Sequence, residues 1–207
     1  MPGRLFLNRP FADVQAASAL DVSSLCETEL DVRNNIQPGQ DVLTVTRDGW
    51  QMMRWGMIPV GRKNARGRPV LETIINARSE SVFDKSAFDG VGRAVIPADG
   101  WYEWTGEKRR KQAWRIRRKD GALLWFAAIY DVWQGPGGIN LPQVAAVTCE
   151  PNDDVSHVHH RMGVLLPREA LPIWLGDDQA AAERVMVQPP ARQLVVEKAD
   201  DVDWNGP

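Results

Sequence analysis

Apolar and polar residues along the chain change rhythm several times, and each change marks an element. Phe11 to Leu20 carries helical spacing, with Phe11, Val14 and Ala17 on one face. Asn35-Ile36-Gln37-Pro38-Gly39-Gln40 then breaks the pattern: proline fixes one backbone angle and glycine permits a positive one, so the segment is a turn. Val42 to Val45 and Gln51 to Trp55 read as strands joined through Arg47-Asp48-Gly49. Val70 to Ile75 is apolar and β-prone, and it delivers the chain to Asn76-Ala77-Arg78. Arg93 to Pro97 is a short strand that stops at Ala98-Asp99-Gly100.

Tyr102 and Trp104 bracket Glu103, and Gly106 opens a hairpin turn. Ala113 to Arg118 alternates, setting Trp114 and Ile116 apart from Arg115 and Arg117. Leu123 to Trp133 is a long apolar run that suits a central strand, and Val144 to Thr148 is another buried strand. Pro167 to Leu175 and Asp178 to Val185 have helical starts and spacing. Many strands, few helices and no βαβ rhythm predict an α+β fold. It would be one compact domain over residues 1–207, with a curved, barrel-like, mainly antiparallel β core flanked by a few helices.

Composition narrows the classes. The 207 residues are 43% hydrophobic, enough for a substantial core, and no run approaches the roughly twenty apolar residues of a membrane span. A soluble, cytoplasmic protein is expected. Cys26 and Cys149 cannot build a disulfide framework and read as small buried residues. A net charge of −2 argues against nonspecific attraction to duplex DNA. Positive charge is nevertheless concentrated at Arg62 to Arg68, Lys108 to Lys111 and Arg115 to Lys119, read as solvated faces or as a phosphate-binding surface.

The sharpest chemical signal is that all three histidines fall within Ser156-His157-Val158-His159-His160-Arg161-Met162. The alternation allows a strand with His157 and His159 on one face. A metal site would join them to Cys149, Asp153 or Asp154, although no matching Cys/His pair occurs elsewhere. In a third reading one histidine carries a proton beside an anion-binding Arg161. Glu103, if partly buried among aromatics, would favour its neutral form and serve as a proton donor, or else it is a strand-edge carboxylate facing water. Asn76 and Arg78, two apart, point together at a phosphate or sugar, or are turn and salt-bridge residues.

Five segments in fixed order carry more than any one residue. They are Asn35 to Gln40, Arg54-Trp55-Gly56-Met57-Ile58-Pro59, Ile75 to Glu80, Ile96 to Trp104, and Val158-His159-His160-Arg161-Met162. With them the chain resembles the SOS response-associated peptidase (SRAP) family, abasic-site processing proteins that crosslink themselves to single-stranded DNA. The resemblance runs to about Leu175 and weakens beyond Val185. It implies a compact β core with helices and a groove for single-stranded DNA. In that family a cysteine exposed by removal of methionine closes a thiazolidine with the abasic-site aldehyde, and also releases leader residues as a peptidase. Carried over by motif, Asn76 would orient the N-terminal residue, Glu103 would handle protons at the sugar, and His159 would assist ring opening. Arg4, Arg78 and Arg161 would hold flanking phosphates, and Pro38 would support unstacked bases. No metal, cofactor or obligatory protein partner is implied, and the protein would be nucleoid-associated when bound to DNA.

The chain departs from the family at its start, Met1-Pro2-Gly3-Arg4, where the family has cysteine second, and Met162-Gly163 replaces methionine-proline. Proline has no thiol, so the thiazolidine is expected to be lost. Loss of Met1 is expected because proline is small. The exposed secondary amine then condenses with an aldehyde to give an iminium, the chemistry of a lyase or a reversible crosslinker. The alternatives are a noncovalent single-stranded DNA reader or inactive relative, and further off a metal-dependent hydrolase or peptidase.

Overall fold

The computed structural model describes residues 2–23, 30–59, 73–107 and 110–206. In chain order the elements are β1 (Leu5–Leu7), α1 (Phe11–Ser18), β2 (Arg33–Ile36), β3 (Asp41–Thr46), β4 (Gly49–Trp55) and β5 (Asn76–Arg78). They continue with β6 (Gly92–Ala98), β7 (Gly100–Thr105), β8 (Gln112–Arg118), β9 (Leu124–Gln134) and β10 (Asn140–Cys149). Last come β11 (Met162–Gly163), α2 (Leu171–Leu175), α3 (Gln179–Val185) and β12 (Leu194–Lys198).

Five of the described strands close on themselves in the order β10-β4-β3-β6-β9, because β9 also pairs with β10. The barrel follows from the sequence pattern. β9 is apolar through its first half, and Leu124 to Ile129 are all buried, as a strand packed on both faces requires. The β3–β4 hairpin turns at Arg47-Asp48, with Thr46 opposite Gly49. The barrel is mixed, since β10 runs parallel to β4 and to β5 while its pairings with β9 and β11 are antiparallel.

A second, antiparallel sheet has the order β12-β8-β7-β1-β2. The chain passes from barrel to sheet at Asp99, between β6 and β7. Gly100 is required there: a Cβ would lie 2.3 Å from the Ile116 carbonyl oxygen and 2.4 Å from the Phe6 ring. Trp50, Trp55, Trp101, Trp174 and Phe126 fill the core at 0% exposure.

Some expectations shift. The apolar Val70–Ile75 run is not itself the strand over the part that can be described: Ile74 makes an isolated bridge to Met57, and the strand begins at Asn76. Residues 70–72 lie outside the described residues, as do Met1, Cys26, Lys108, Arg109 and the Arg62–Arg68 stretch. α1 ends before Leu20 because Ala19 turns left-handed at φ 52°. The Pro167–Leu175 helix splits into a 3-10 turn at Arg168–Ala170 and α2. The histidine segment is no strand. Ser156 and His159 amides bond back to the Asn152 and Val155 carbonyls, winding residues 153–158 into turns before β11.

Candidate active site

Pro2 is held by its carbonyl. Asn76 Nδ2 donates to the Pro2 oxygen at 3.0 Å, and Pro2 is buried. Asn76 opens β5, and its place is fixed by β10, where Ala146 is its register partner. Among the described residues nothing donates to Asn76 Oδ1, which is buried. That leaves an acceptor beside the chain's first residues. β10 also positions β11, with Thr148 between Arg78 on one edge and Gly163 on the other. A Cβ on Gly163 would lie 2.4 Å from the Phe126 ring and 3.5 Å from Pro2 Cγ. Glycine at 163 thus lets the Phe126 ring close in, with the Pro2 ring alongside.

β1 brings this N-terminal stretch level with Glu103. Leu5 is opposite Trp101, and the Tyr102 amide donates to the Arg4 carbonyl at 3.0 Å. The same antiparallel register carried two residues further sets Gly3 level with Glu103. Glu103 is 3% exposed, and burial pushes its carboxyl up to about 7. The strand-edge reading is thereby excluded. The expected cause needs correction, however: alternation sends Tyr102 and Trp104 to the opposite face, where they meet Phe6 and Trp204. Glu103 shares its face with Trp101, whose ring packs edge-on against Phe126 in the core.

His159 is half-buried, whereas His157 and His160 are exposed. The Arg161 amide donates to His159 Nδ1 at 3.0 Å. The Arg161 carbonyl lies 3.1 Å from the same nitrogen, so Nδ1 accepts from the amide in one tautomer and donates to the carbonyl in the other. Burial lowers the imidazole to about 4, so it is neutral near pH 7. His160 stacks on it at a centroid distance of 4.3 Å. The chelating alternative has no ligand set: among the described residues no group of three or more His, Cys, Asp or Glu side chains could hold a metal ion. Asp154 instead accepts the amides of Arg192, Gln193 and Leu194, and burial pushes the Cys149 thiol up to about 11.

The expected phosphate ligands differ in their freedom. Arg78 is exposed and makes no side-chain hydrogen bond or ion pair among the described residues. Arg4 Nη1 donates to Asn35 Oδ1 at 2.6 Å. Arg161 grips Glu80 with both terminal nitrogens. Pro38 is partly buried in the turn whose Gly39, at φ +91°, donates to the Trp55 carbonyl. The basic run on β8 is neutralised by neighbours: Arg115 meets Asp201, Arg117 meets Glu197 and Arg118 meets Asp120.

Two residues escaped the sequence reading. Asn35 and Glu80 stand inside ordered motifs but are given no role of their own there. Asn35 is fully buried and donates to the carbonyls of Trp204 and Gly206 at 2.9 and 3.0 Å. Only its position ahead of Ile36 and Pro38, in a segment too polar for a core, hinted at such a role.

Known proteins give this geometry a family. The relative Abasic site processing protein YoqW of Bacillus subtilis (strain 168) is 33% identical over 183 residues, 84% of this chain and 80% of that one. Abasic site processing protein HMCES of Gallus gallus is 33% identical over 147 residues, covering 59% of this chain and 44% of that one. A crystal structure of a protein from Bacteroides thetaiotaomicron shares the fold at a TM-score of 0.81 and 20% identity, over 96% of this chain and 92% of that chain. The model of the family described as SOS response associated peptidase (SRAP) matches residues 1–202. The chain belongs to the SRAP family.

Proposed function

We propose that this protein processes abasic sites in single-stranded DNA, reacting with the lesion through its N-terminal residue. The observation that carries the reading is the 3.0 Å bond from Asn76 to the Pro2 carbonyl, which ties the first residues to the strand bearing Arg78. With Met1 removed, the Pro2 secondary amine attacks the aldehyde carbon of the ring-opened sugar. The carbinolamine oxygen takes a proton and leaves as water, and the nitrogen lone pair completes an iminium cation. Glu103, with its carboxyl near 7, is a suitable carrier for that proton. His159 is neutral near pH 7, and in its Nε2–H tautomer it donates a hydrogen bond to a sugar oxygen as the ring opens.

From the iminium two exits exist. Water returns the aldehyde and free Pro2. Alternatively, a proton lost from C2 lets the electrons displace the 3′ phosphate, cutting the strand as a lyase does. The family's thiazolidine is not available to proline, and Cys149 is buried with a raised thiol. Arg4, Arg78 and Arg161 supply positive charge along the strand, and Pro38 faces the unstacked bases.

The test is incubation of protein lacking Met1 with an abasic single-stranded oligonucleotide and borohydride, which reduces the iminium to a stable tertiary amine. A band shifted by one oligonucleotide mass is expected. The second reading, noncovalent binding, is favoured by the burial of Pro2. It gives salt-sensitive binding with neither adduct nor cleavage.

A further inference from the structure

We infer that Trp204 is a positioning residue for Arg4, acting through Asn35, so that the segment after β12 sets the guanidinium for a DNA phosphate. The inference rests on the proposed reading that Arg4 holds a phosphate. Its grounds are geometric, and they begin at Asn35, which is fully buried on β2. Asn35 Nδ2 donates to the carbonyls of Trp204 at 2.9 Å and Gly206 at 3.0 Å, with the Asp203 carbonyl at 3.5 Å. Carbonyl oxygens only accept, so the nitrogen of this amide must face them and its oxygen must face the other way. There Oδ1 accepts from Arg4 Nη1 at 2.6 Å. The carbonyls around Trp204 thus decide which atom of Asn35 meets Arg4.

Trp204 holds those carbonyls in place. Its ring packs edge-on against Tyr102 at 5.0 Å and tilted against Trp104 at 5.3 Å, on the face of β7 opposite Glu103. The segment is fastened along β8 before it reaches Trp204. The Ala199 amide donates to the Ala113 carbonyl at 3.0 Å, Asp200 accepts from Gln112 at 2.9 Å, and Asp201 accepts from Arg115 at 2.8 Å. Tyr102, beneath Trp204, joins both ends of the relay: its amide donates to the Arg4 carbonyl and its hydroxyl to the Asn34 carbonyl, each at 3.0 Å. Trp204 and Gly206 lie beyond residue 202, where the family match stops.

Charge is what makes the arrangement useful. Arg9, Arg47, Arg115, Arg117, Arg118 and Arg161 each meet a carboxylate. Among the described residues Arg4 meets none, and its partner is a neutral amide oxygen. One donor of the guanidinium is engaged while its charge is left whole, which orients the group without weakening its attraction for an anion.

The test uses the whole protein. Carbon-13 and nitrogen-15 spectra of the Arg4 guanidinium are recorded for wild type, Trp204→Ala, Trp204→Phe and Asn35→Ala, each shown by circular dichroism to be folded at the assay temperature. Wild type and Trp204→Phe are expected to show separate Nη signals for Arg4, the mark of a held guanidinium, and the other two a single averaged signal. Binding to undamaged single strands should weaken about fivefold in Trp204→Ala and Asn35→Ala, because a long side chain must then be ordered on binding. In an Arg4→Gln background, Trp204→Ala should change the affinity by less than about twofold. Arg4→Gln alone should reduce the salt slope by about one. Separate Arg4 signals surviving in both Trp204→Ala and Asn35→Ala would overturn the inference. So would an equal loss of affinity with and without Arg4, which gives Trp204 a role independent of that side chain. Tighter binding by Trp204→Ala would overturn it too, by making the segment a competitor of DNA. If Arg4→Gln leaves affinity and salt slope unchanged while the Arg4 signals still collapse in Trp204→Ala, the positioning link stands and the phosphate reading falls.

Discussion

Glu103 is the residue at which stability and chemistry pull apart. In the unfolded chain its carboxyl titrates near 4.5, and in the fold near 7. The folded chain therefore binds the extra proton between those values, and stability declines as pH rises through that window. The shift corresponds to something on the order of 3 kcal/mol above pH 7. Glu103→Gln, isosteric and neutral, should be more stable than wild type at pH 8 by up to that amount, with the difference vanishing near pH 4.5. Denaturant titrations at the two pH values check this, and an equal difference at both would refute the buried proton. The same substitution should remove the trapping reaction, the usual cost of relieving strain at a working group. His159, lowered to about 4, is neutral over the same window. Trapping by wild type should consequently fall above about 7, as Glu103 loses its proton. Asn76→Ala removes the hydrogen bond to the Pro2 carbonyl, a loss of about 1 kcal/mol or more, and should slow trapping at least about fivefold. Single-turnover kinetics provide that number.

Elements differ in how openly the sequence announces them. β9, β8 and the β3–β4 hairpin were legible because apolar runs, alternation and an Asp-Gly turn act locally. β1, β2, β5 and β12 are three to five residues long and are ordered by their neighbours, so no period shows in them. The histidine segment misled for the opposite reason: its alternation mimics a strand, but the amides are consumed in turns from Asn152 onward. Asn76 meets Pro2 directly and the β1–β7 register brings Glu103 level with the first residues, a convergence that only the ordered motifs disclosed. Least visible was the segment after β12, which lies over β7. There Trp204 packs on Tyr102 and Trp104 at 5.0 and 5.3 Å, and Asn35 donates to the segment's carbonyls. Trp204→Ala and Asn35→Ala should each cost about 1–3 kcal/mol by chemical denaturation. Because both act on one docked segment, the double variant should cost less than the sum.

At the scale of the molecule, a closed barrel presents β5 and β11 on either edge of β10, and a second sheet brings the N-terminal strand across to meet them. That arrangement makes the first residues part of the core, with Pro2 buried. With a net charge of only −2, the proposed affinity for DNA rests on local charge. Arg78→Ala should weaken binding to single strands and reduce the salt slope by about one, whatever the sequence of the strand. The account depends above all on the amine of Pro2. Protein verified by intact mass to lack Met1 is reacted with an abasic single strand and borohydride, digested, and its N-terminal peptide weighed and fragmented. The expected result is the reduced sugar attached at the Pro2 nitrogen. An unmodified N-terminal peptide, or attachment only at lysine, would contradict it.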